Sequence, residues 1–239
     1  MNYSDFYLKN RLDNRRDILK FTSDQFSVTP DVTQISKKVS DYFGGKITAS
    51  GSPVIKHNAW KTVKDEIAVI ANELIPVAEK DYYGCNLRCD KIYIYRNVHT
   101  TKPISSWLYH YDNNPPTVLK LMIYLTDVDD DSYAPIETVP TLTYEPTRLG
   151  TEKWKSAPNN SRVPESKINK NEVVRYYGKA GTTVLFYPNT VHRATVPDPG
   201  KYRDVLVIRV KPCVNNESDD YLRYADSFEC SGACKQNPE

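Results

Sequence analysis

From residue 91 onward the sequence consists of short segments rich in β-branched and aromatic residues, separated by Gly, Pro, Asn and Asp. Segments of this composition, bounded by turn residues, predict β-strands. Many short strands joined by turns favour a sandwich or a barrel, and a jelly roll is one arrangement that protects the sheet edges. The predicted strands span residues 91–98, 107–111, 118–128, 135–139, 172–177, 182–187 and 204–210.

The N-terminal third has helical periodicity instead. Residues 31–42 place apolar side chains on one face and precede a glycine pair, which predicts a short helix. A longer helix is predicted for residues 58–80, with a break or kink at Pro76. Residues 1–30 are polar and are expected to form an extended arm or a short strand. The overall expectation is therefore a mainly β protein with N-terminal α-helices packed on one sheet.

The chain has 239 residues, a length that one β-rich domain commonly reaches. We expect a single catalytic domain over residues 1–239, with a helical part in 1–85 and a jelly-roll core in 91–212. Residues 140–170 are rich in Pro, Asn, Ser and Lys and are expected to form a variable surface loop. Residues 213–239 are expected to form a polar tail.

Charge and hydropathy exclude several partners. The net charge of +2 argues against nucleic-acid binding, which needs a clear basic excess. No segment has the roughly 20 consecutive apolar residues of a membrane span. The first twenty residues lack the apolar core of a secretory signal, so a cytoplasmic protein is expected. The sequence does not indicate the oligomeric state.

Four of the five cysteines form two Cys-x-x-x-Cys pairs, Cys85 with Cys89 and Cys230 with Cys234. This spacing differs from the Cys-x-x-Cys typical of zinc ribbons, although zinc binding by both pairs remains an alternative. In a cytoplasmic protein, reduced thiols are the favoured interpretation.

One cluster of residues indicates chemistry. The only His-x-Asp of the chain is His110-Tyr-Asp112, and residues i and i+2 of a strand point to the same face. The only later histidine is His192. Two imidazoles and one carboxylate make up the facial set that non-haem Fe(II) oxygenases use, with open positions left for other ligands. Arg203 follows His192 by eleven residues, and its planar fork is suited to a carboxylate.

The order and spacing of His110, Asp112, His192 and Arg203 resemble those of the Fe(II)/2-oxoglutarate-dependent dioxygenases, specifically the phytanoyl-CoA dioxygenase-like branch. The resemblance covers roughly residues 91–210 and implies a double-stranded β-helix. It implies that the first three residues bind Fe(II) and that Arg203 binds the distal carboxylate of 2-oxoglutarate. The small hydroxyl residue that often stands two positions after the distal histidine is replaced by alanine here.

The resemblance also implies a tyrosine that binds the co-substrate. Tyr93 is the preferred candidate and Tyr95 competes with it, because the two share one face of their strand. Apolar Ile92 and Ile94 on the other face would pack against the helices and turn the tyrosines inward. Core packing with a satisfied hydroxyl is the alternative for both tyrosines.

The implied activity is hydroxylation of an unactivated C–H bond of a small molecule by Fe(II), 2-oxoglutarate and dioxygen, with release of succinate and carbon dioxide. Related halogenases replace the metal-binding carboxylate with a small residue, whereas this chain retains Asp112, which favours hydroxylation. Hydroxylation of a protein side chain, such as proline, stays open. Two alternatives outside this class are a non-catalytic cupin-like protein that binds a metal or ligand, and an interaction module.

Overall fold

The structure is a computed structural model of the chain. It describes nine stretches of the sequence, which are residues 21–45, 54–56, 60–115, 117–144, 148–149, 153–154, 161–213, 221–222 and 225–227.

The described residues contain twelve strands in chain order. They are β1 (Ser23–Gln25), β2 (Val54–Lys56), β3 (Leu87–Val98), β4 (Leu119–Tyr124), β5 (Ile136–Thr143), β6 (Arg148–Leu149), β7 (Lys153–Trp154), β8 (Val174–Tyr176), β9 (Thr183–Phe186), β10 (Thr190–Ala194), β11 (Tyr202–Pro212) and β12 (Asp226–Ser227).

The strands form two main sheets. The major sheet has the order β1-β9-β4-β11-β3-β12, and β2 also pairs with β3. The minor sheet has the order β10-β5-β8, and β6 and β7 form a separate hairpin. All these pairings are antiparallel except that of β12 with β3. The predicted mainly β, jelly-roll fold is confirmed.

Two α-helices lie in the N-terminal third, α1 (Thr33–Phe43) and α2 (Lys64–Ala78). The sequence predicts a helix from residue 58, and that residue lies outside the described residues. A 3₁₀ turn, Trp60–Val63, lies at the start of the predicted helix and precedes α2. Of the predicted break or kink at Pro76, the break does not occur, because α2 continues through this residue to Ala78. The helix widens only afterwards, in one π turn over Glu79–Tyr83. Proline removes one helical hydrogen bond, which the packed last turn of α2 tolerates.

Alternation along the strands divides the major sheet into two faces. The outer face packs against the helices, as predicted: Ile92, Ile94, Leu206 and Ile208 belong to one buried cluster with α1 and α2. The inner face looks toward the minor sheet and carries the complementary residues of the same strands. That second cluster contains Met122, Tyr124, Ile136, Tyr176, Val184, Phe186, Val205 and Val207, with Tyr93 and Tyr95 packed against it.

Two sequence predictions about strands need correction. Residues 107–111 do not form a regular strand: a 3₁₀ turn covers Ser105–Trp107, and only His110 makes β-bridges. The β-rich composition there produces extended backbone, but neighbouring segments of the chain form β-bridges with it at His110 alone. The C-terminal tail, which was expected to be polar, also contributes to the fold, because Leu222 is buried in the core and β12 pairs with β3.

A buried ion pair fastens α1 to the end of the major sheet. Arg96 Nε and Nη2 donate to the two carboxylate oxygens of Asp204, both at 2.7 Å, and Arg96 Nη1 donates to the Gly44 carbonyl at 2.9 Å. The Arg96 and Asp204 side chains are 1% and 2% exposed. The guanidinium also lies 3.8 Å from the Tyr202 ring centroid. The pair thus joins β3, β11 and the residue after α1.

Removing one partner of this pair should strongly destabilise the protein, because the other charge would stay buried without compensation. We expect Asp204→Ala to lower the free energy of unfolding by about 3–5 kcal/mol, measured by urea denaturation. Asp41→Ala is the matched control, since Asp41 pairs with Lys37 on the exposed surface of α1. Equal urea midpoints for the two variants would contradict this role of Asp204.

Candidate active site

Backbone pairing brings the two candidate histidines side by side. The His110 N–H donates to the His192 carbonyl and the His192 N–H donates to the His110 carbonyl, both at 3.0 Å. His192 lies on β10, a strand that the sequence analysis missed between its predicted segments. Directly opposite residues of an antiparallel pair place their side chains on the same face. The ring centroids of the two imidazoles are therefore only 4.4 Å apart.

Both imidazoles are oriented by a hydrogen bond between Nδ1 and a backbone carbonyl. Nδ1 of His110 bonds the Leu108 carbonyl at 2.9 Å, and Nδ1 of His192 bonds the Thr190 carbonyl at 2.8 Å. A carbonyl only accepts hydrogen bonds, so each Nδ1 carries the proton and each Nε2 keeps its lone pair. The Nε2 atoms lie 3.5 Å (His110) and 3.7 Å (His192) from the Asp112 carboxylate oxygens. The three ligand atoms lie within 4.8 Å of one another.

The electrostatics of the site keep these groups in metal-binding protonation states. Burial lowers the pKa of His110 to about 3, with the neighbouring His192 adding to the effect. Burial also lowers the pKa of His192. For Asp112, burial opposes ionisation, but Lys120 and the two imidazoles hold its pKa below the ordinary value. Neutral imidazoles and an ionised carboxylate are the forms that bind a metal ion.

This donor set fits a divalent iron ion. Two histidines and one carboxylate on one side of a site form the facial triad of non-haem Fe(II) enzymes and leave other positions open. Within the described part of the chain, this is the one cluster of three or more candidate metal ligands. Cys89 and Cys213 are free thiols, and Cys230 and Cys234 lie outside the described residues. His99 is separate, with its Nδ1 at 2.8 Å from the Pro197 carbonyl.

Arg203 lies on the inner face of β11, on the same face as Val205 and Val207. Its side chain is fully buried. Its guanidinium donates to the Ala134 carbonyl, and the Asn97 side-chain oxygen accepts from its Nε at 3.2 Å. Among the described residues, no carboxylate forms an ion pair with Arg203, and the neighbouring Asp204 carboxylate pairs with Arg96 instead.

Tyr93 and Tyr95 both lie on the inner face of β3, as the alternation predicts. The Tyr93 ring centroid lies 5.8 Å from Lys120 Nζ. Burial raises the pKa of Tyr95, and the charges acting on its hydroxyl include Arg203, Lys120 and Asp112. Tyr95 is thus in electrostatic contact with both the histidine–aspartate cluster and Arg203.

Sequence analysis did not single out Lys120, which contacts the site directly. Lys120 Nζ lies 2.5 Å from Asp112 Oδ2, and its side chain is 17% exposed. The signal was present in the sequence: Lys120 is the one charged residue in the apolar segment 118–125, at inner-face register with Met122 and Tyr124. A lone charge on the buried face of a strand requires a partner, which here is Asp112.

No helix in the described part of the chain is long and apolar enough to cross a membrane. The sequence matches no protein family model and no curated protein.

Solved structures do match. The chain is similar to the alpha-ketoglutarate-dependent epimerase SnoN from nogalamycin biosynthesis, with 16% identity, a TM-score of 0.56, and coverage of 81% of this chain and 79% of that chain. It is similar to HygX from Streptomyces hygroscopicus, with nickel, 2-oxoglutarate and hygromycin B bound, at 12% identity, a TM-score of 0.54, and coverage of 82% and 84%. EctD from S. alaskensis with bound Fe matches at 14% identity, a TM-score of 0.53, and coverage of 81% and 73%.

At these identities the likeness shows the fold. The chain has the jelly-roll fold of Fe- and 2-oxoglutarate-dependent enzymes, and a His–Asp–His cluster is present between its sheets. The resemblance to this wide group that the sequence indicates is confirmed. The phytanoyl-CoA dioxygenase-like branch is not confirmed.

Metal binding by the cluster can be tested by comparing His192, a candidate ligand, with His99, which lies outside the cluster. We expect His192→Ala to abolish binding of one Co(II) or Fe(II) per chain, because the facial set loses one of its three ligands. His99→Ala is the matched control and should bind the metal as the unmodified protein does. Anaerobic titration calorimetry measures both. Loss of binding in His99→Ala, or its retention in His192→Ala, would contradict the assignment.

Proposed function

We propose that the protein is an Fe(II)- and 2-oxoglutarate-dependent dioxygenase that hydroxylates an unactivated C–H bond of a small molecule. Substrate, 2-oxoglutarate and dioxygen would give hydroxylated substrate, succinate and carbon dioxide. His110, Asp112 and His192 would hold the iron ion, which would supply the activation of dioxygen that is coupled to 2-oxoglutarate decarboxylation. The proposal keeps the sequence-based prediction of a cytoplasmic enzyme with one catalytic domain.

The buried charge of Arg203 is the observation that carries the proposal. Burial of an arginine without a carboxylate partner is costly unless a ligand compensates it. Arg203 faces the inside of the jelly roll, on the same inner surface as Lys120 and the histidine–aspartate cluster. A dicarboxylate with one end near the metal and the other at Arg203 supplies the missing negative charge. A cupin-like protein that only binds a metal gives Arg203 no such role.

The chain's own residues prepare the site in several ways. The carbonyls of Leu108 and Thr190 fix the two imidazoles, and Lys120 holds the Asp112 carboxylate. The Phe186 ring lies 5.0 Å from the His192 ring and covers it with apolar surface. Together with the apolar inner-face cluster, these contacts bury the two imidazoles, whose side chains are each 7% exposed, and burial strengthens electrostatic interactions there.

Hydroxylation is proposed because Asp112 is retained and leaves no ligand position for a halide. The structural neighbours include an epimerase and a carbocyclase, so product analysis has to accompany the assay. Two neighbours hold nogalamycin RO or hygromycin B, which supports a small-molecule substrate over a protein side chain.

The role of Arg203 is tested by anaerobic titration with Fe(II) and then 2-oxoglutarate, following the visible charge-transfer band of the chelate. We expect the band in the unmodified protein and its loss in His192→Ala. Arg203→Ala should weaken 2-oxoglutarate binding by roughly 10- to 100-fold, the range for a lost charge-assisted hydrogen bond.

Lys201→Ala is the matched control, because Lys201 is an exposed cation two residues from Arg203. It should leave the affinity for 2-oxoglutarate unchanged. Arg203→Lys guards against misfolding, since it keeps a buried cation and should retain part of the binding. Iron binding without any chelate band would favour the cupin-like alternative, and an unchanged affinity in Arg203→Ala would overturn the role of Arg203.

Tyr93 and Tyr95 are proposed to contact the co-substrate, and their hydroxyl groups can be compared directly. We expect Tyr95→Phe to weaken 2-oxoglutarate binding several-fold, because its hydroxyl interacts electrostatically with Arg203, Lys120 and Asp112. Tyr93→Phe is the paired variant on the same face and tests the residue preferred from the sequence. The same anaerobic titration measures both. Unchanged affinity in both variants would leave the tyrosines as packing residues.

A further inference from the structure

The segment that contains Arg162 pairs with His110 on the side opposite His192, and it adds a positive charge to the site. His110 forms one β-bridge with His192 and another with Arg162. The flanking hydrogen bonds, Val163 N–H to the Tyr109 carbonyl at 2.8 Å and Tyr111 N–H to the Ser161 carbonyl at 3.4 Å, make His110 and Arg162 a non-hydrogen-bonded pair. Such pairs place their side chains on one face with Cα atoms only about 4.5 Å apart.

The pKa shifts are consistent with this placement. The charge of Arg162 contributes to lowering the pKa of both His110 and His192. Burial lowers the pKa of Arg162 itself, and the Asp112 carboxylate acts against that shift. The half-buried guanidinium thus lies within electrostatic reach of all three candidate iron ligands.

Arg162 has no ionic partner within the described part of the chain. Its one hydrogen bond there is a long one, from Nη2 to the Ser105 hydroxyl at 3.4 Å. Asp112 already pairs with Lys120. In the proposed holoenzyme, 2-oxoglutarate binds iron at one end and Arg203 at the other, so it does not neutralise Arg162. The positive charge of this arginine is therefore available to a second anion.

Apolar surface adjoins this cation. Ile104 and Leu108, which flank the turn that carries Ser105, are 49% and 40% exposed. Leu108 precedes His110 by two residues, and its carbonyl lies 2.9 Å from His110 Nδ1. Ser105 adopts a left-handed conformation (φ 55°), which non-glycine residues rarely do outside functional or tightly constrained sites. In the same turn, the buried indole N–H of Trp107 has no acceptor among the described residues.

We propose that Arg162, with Ser105, binds an anionic group of the primary substrate, which is an amphipathic small molecule carrying a carboxylate or a phosphate. The guanidinium binds the anion, and Leu108 and Ile104 contact the adjoining apolar part. This inference rests on the proposed function, because it places the substrate beside the iron ligands. It identifies the substrate class of the same site.

The test is titration calorimetry on protein loaded with Ni(II), as a redox-inert metal, and saturating 2-oxoglutarate. The probes are hexanoate, hexyl phosphate and neutral hexanamide, which share one apolar chain. We expect the unmodified protein to bind at least one anionic probe on the order of tenfold or more tighter than hexanamide. Which anion binds more tightly distinguishes a carboxylate substrate from a phosphate substrate.

Arg162→Gln should remove this preference while the protein still binds Ni(II) and 2-oxoglutarate, which separates a substrate contact from a folding defect. Lys167→Gln removes one exposed positive charge from the same segment and should keep the preference. Equal binding of anionic and neutral probes by the unmodified protein, or an undiminished preference in Arg162→Gln, would overturn the inference.

Failure of the proposed function gives a different result. If no complex with metal and 2-oxoglutarate forms, that function fails, and the same probes are titrated against the metal-free protein. An anion preference that depends on Arg162 would then still support an anion site. Its absence would overturn that site as well.

Discussion

The site depends on the alternation of side chains along β11, the strand that pairs with both β3 and β4. Alternate residues of a strand face opposite sides, so Arg203 and Val205 point into the jelly roll while Asp204 and Leu206 point toward the helices. A shift of one residue would exchange the Arg203 and Asp204 positions and reverse the charge facing the site. The buried pair of Asp204 with Arg96 opposes such a shift, because it holds the outer face in register.

The inner surface of the jelly roll carries several charged side chains that are buried or half-buried. It holds Asp112 with Lys120 as a pair, and it holds Arg203 and Arg162 without carboxylate partners among the described residues. Buried or half-buried cations of this kind lower the stability of the ligand-free protein. An anionic ligand supplies the negative charge that compensates these cations. The same cations that lower the stability of the ligand-free protein therefore favour binding of a dicarboxylate and of an anionic substrate.

Local sequence patterns were sufficient for most of the fold. β-Branched and aromatic runs located β3, β4 and β9, and helical periodicity located α1 and α2. They were insufficient where structure depends on partners distant in the chain. The extended residues around His110 pair only at single positions, and the short β10 is a strand because β5 lies beside it. The residues of these segments do not by themselves encode that pairing.

The sequence by itself determined which groups are available for chemistry: the only His-x-Asp, the single later histidine, and an arginine eleven residues beyond it. It also determined that Tyr93 and Tyr95 share one face of their strand, because the two-residue period is a local property of the backbone. Only the tertiary structure decided which groups meet. The lone charge of Lys120 in its apolar strand indicates that a partner exists, but only the fold shows that the partner is Asp112. The pairing of Arg162 with His110 joins segments that are far apart in the chain, and no local pattern records it.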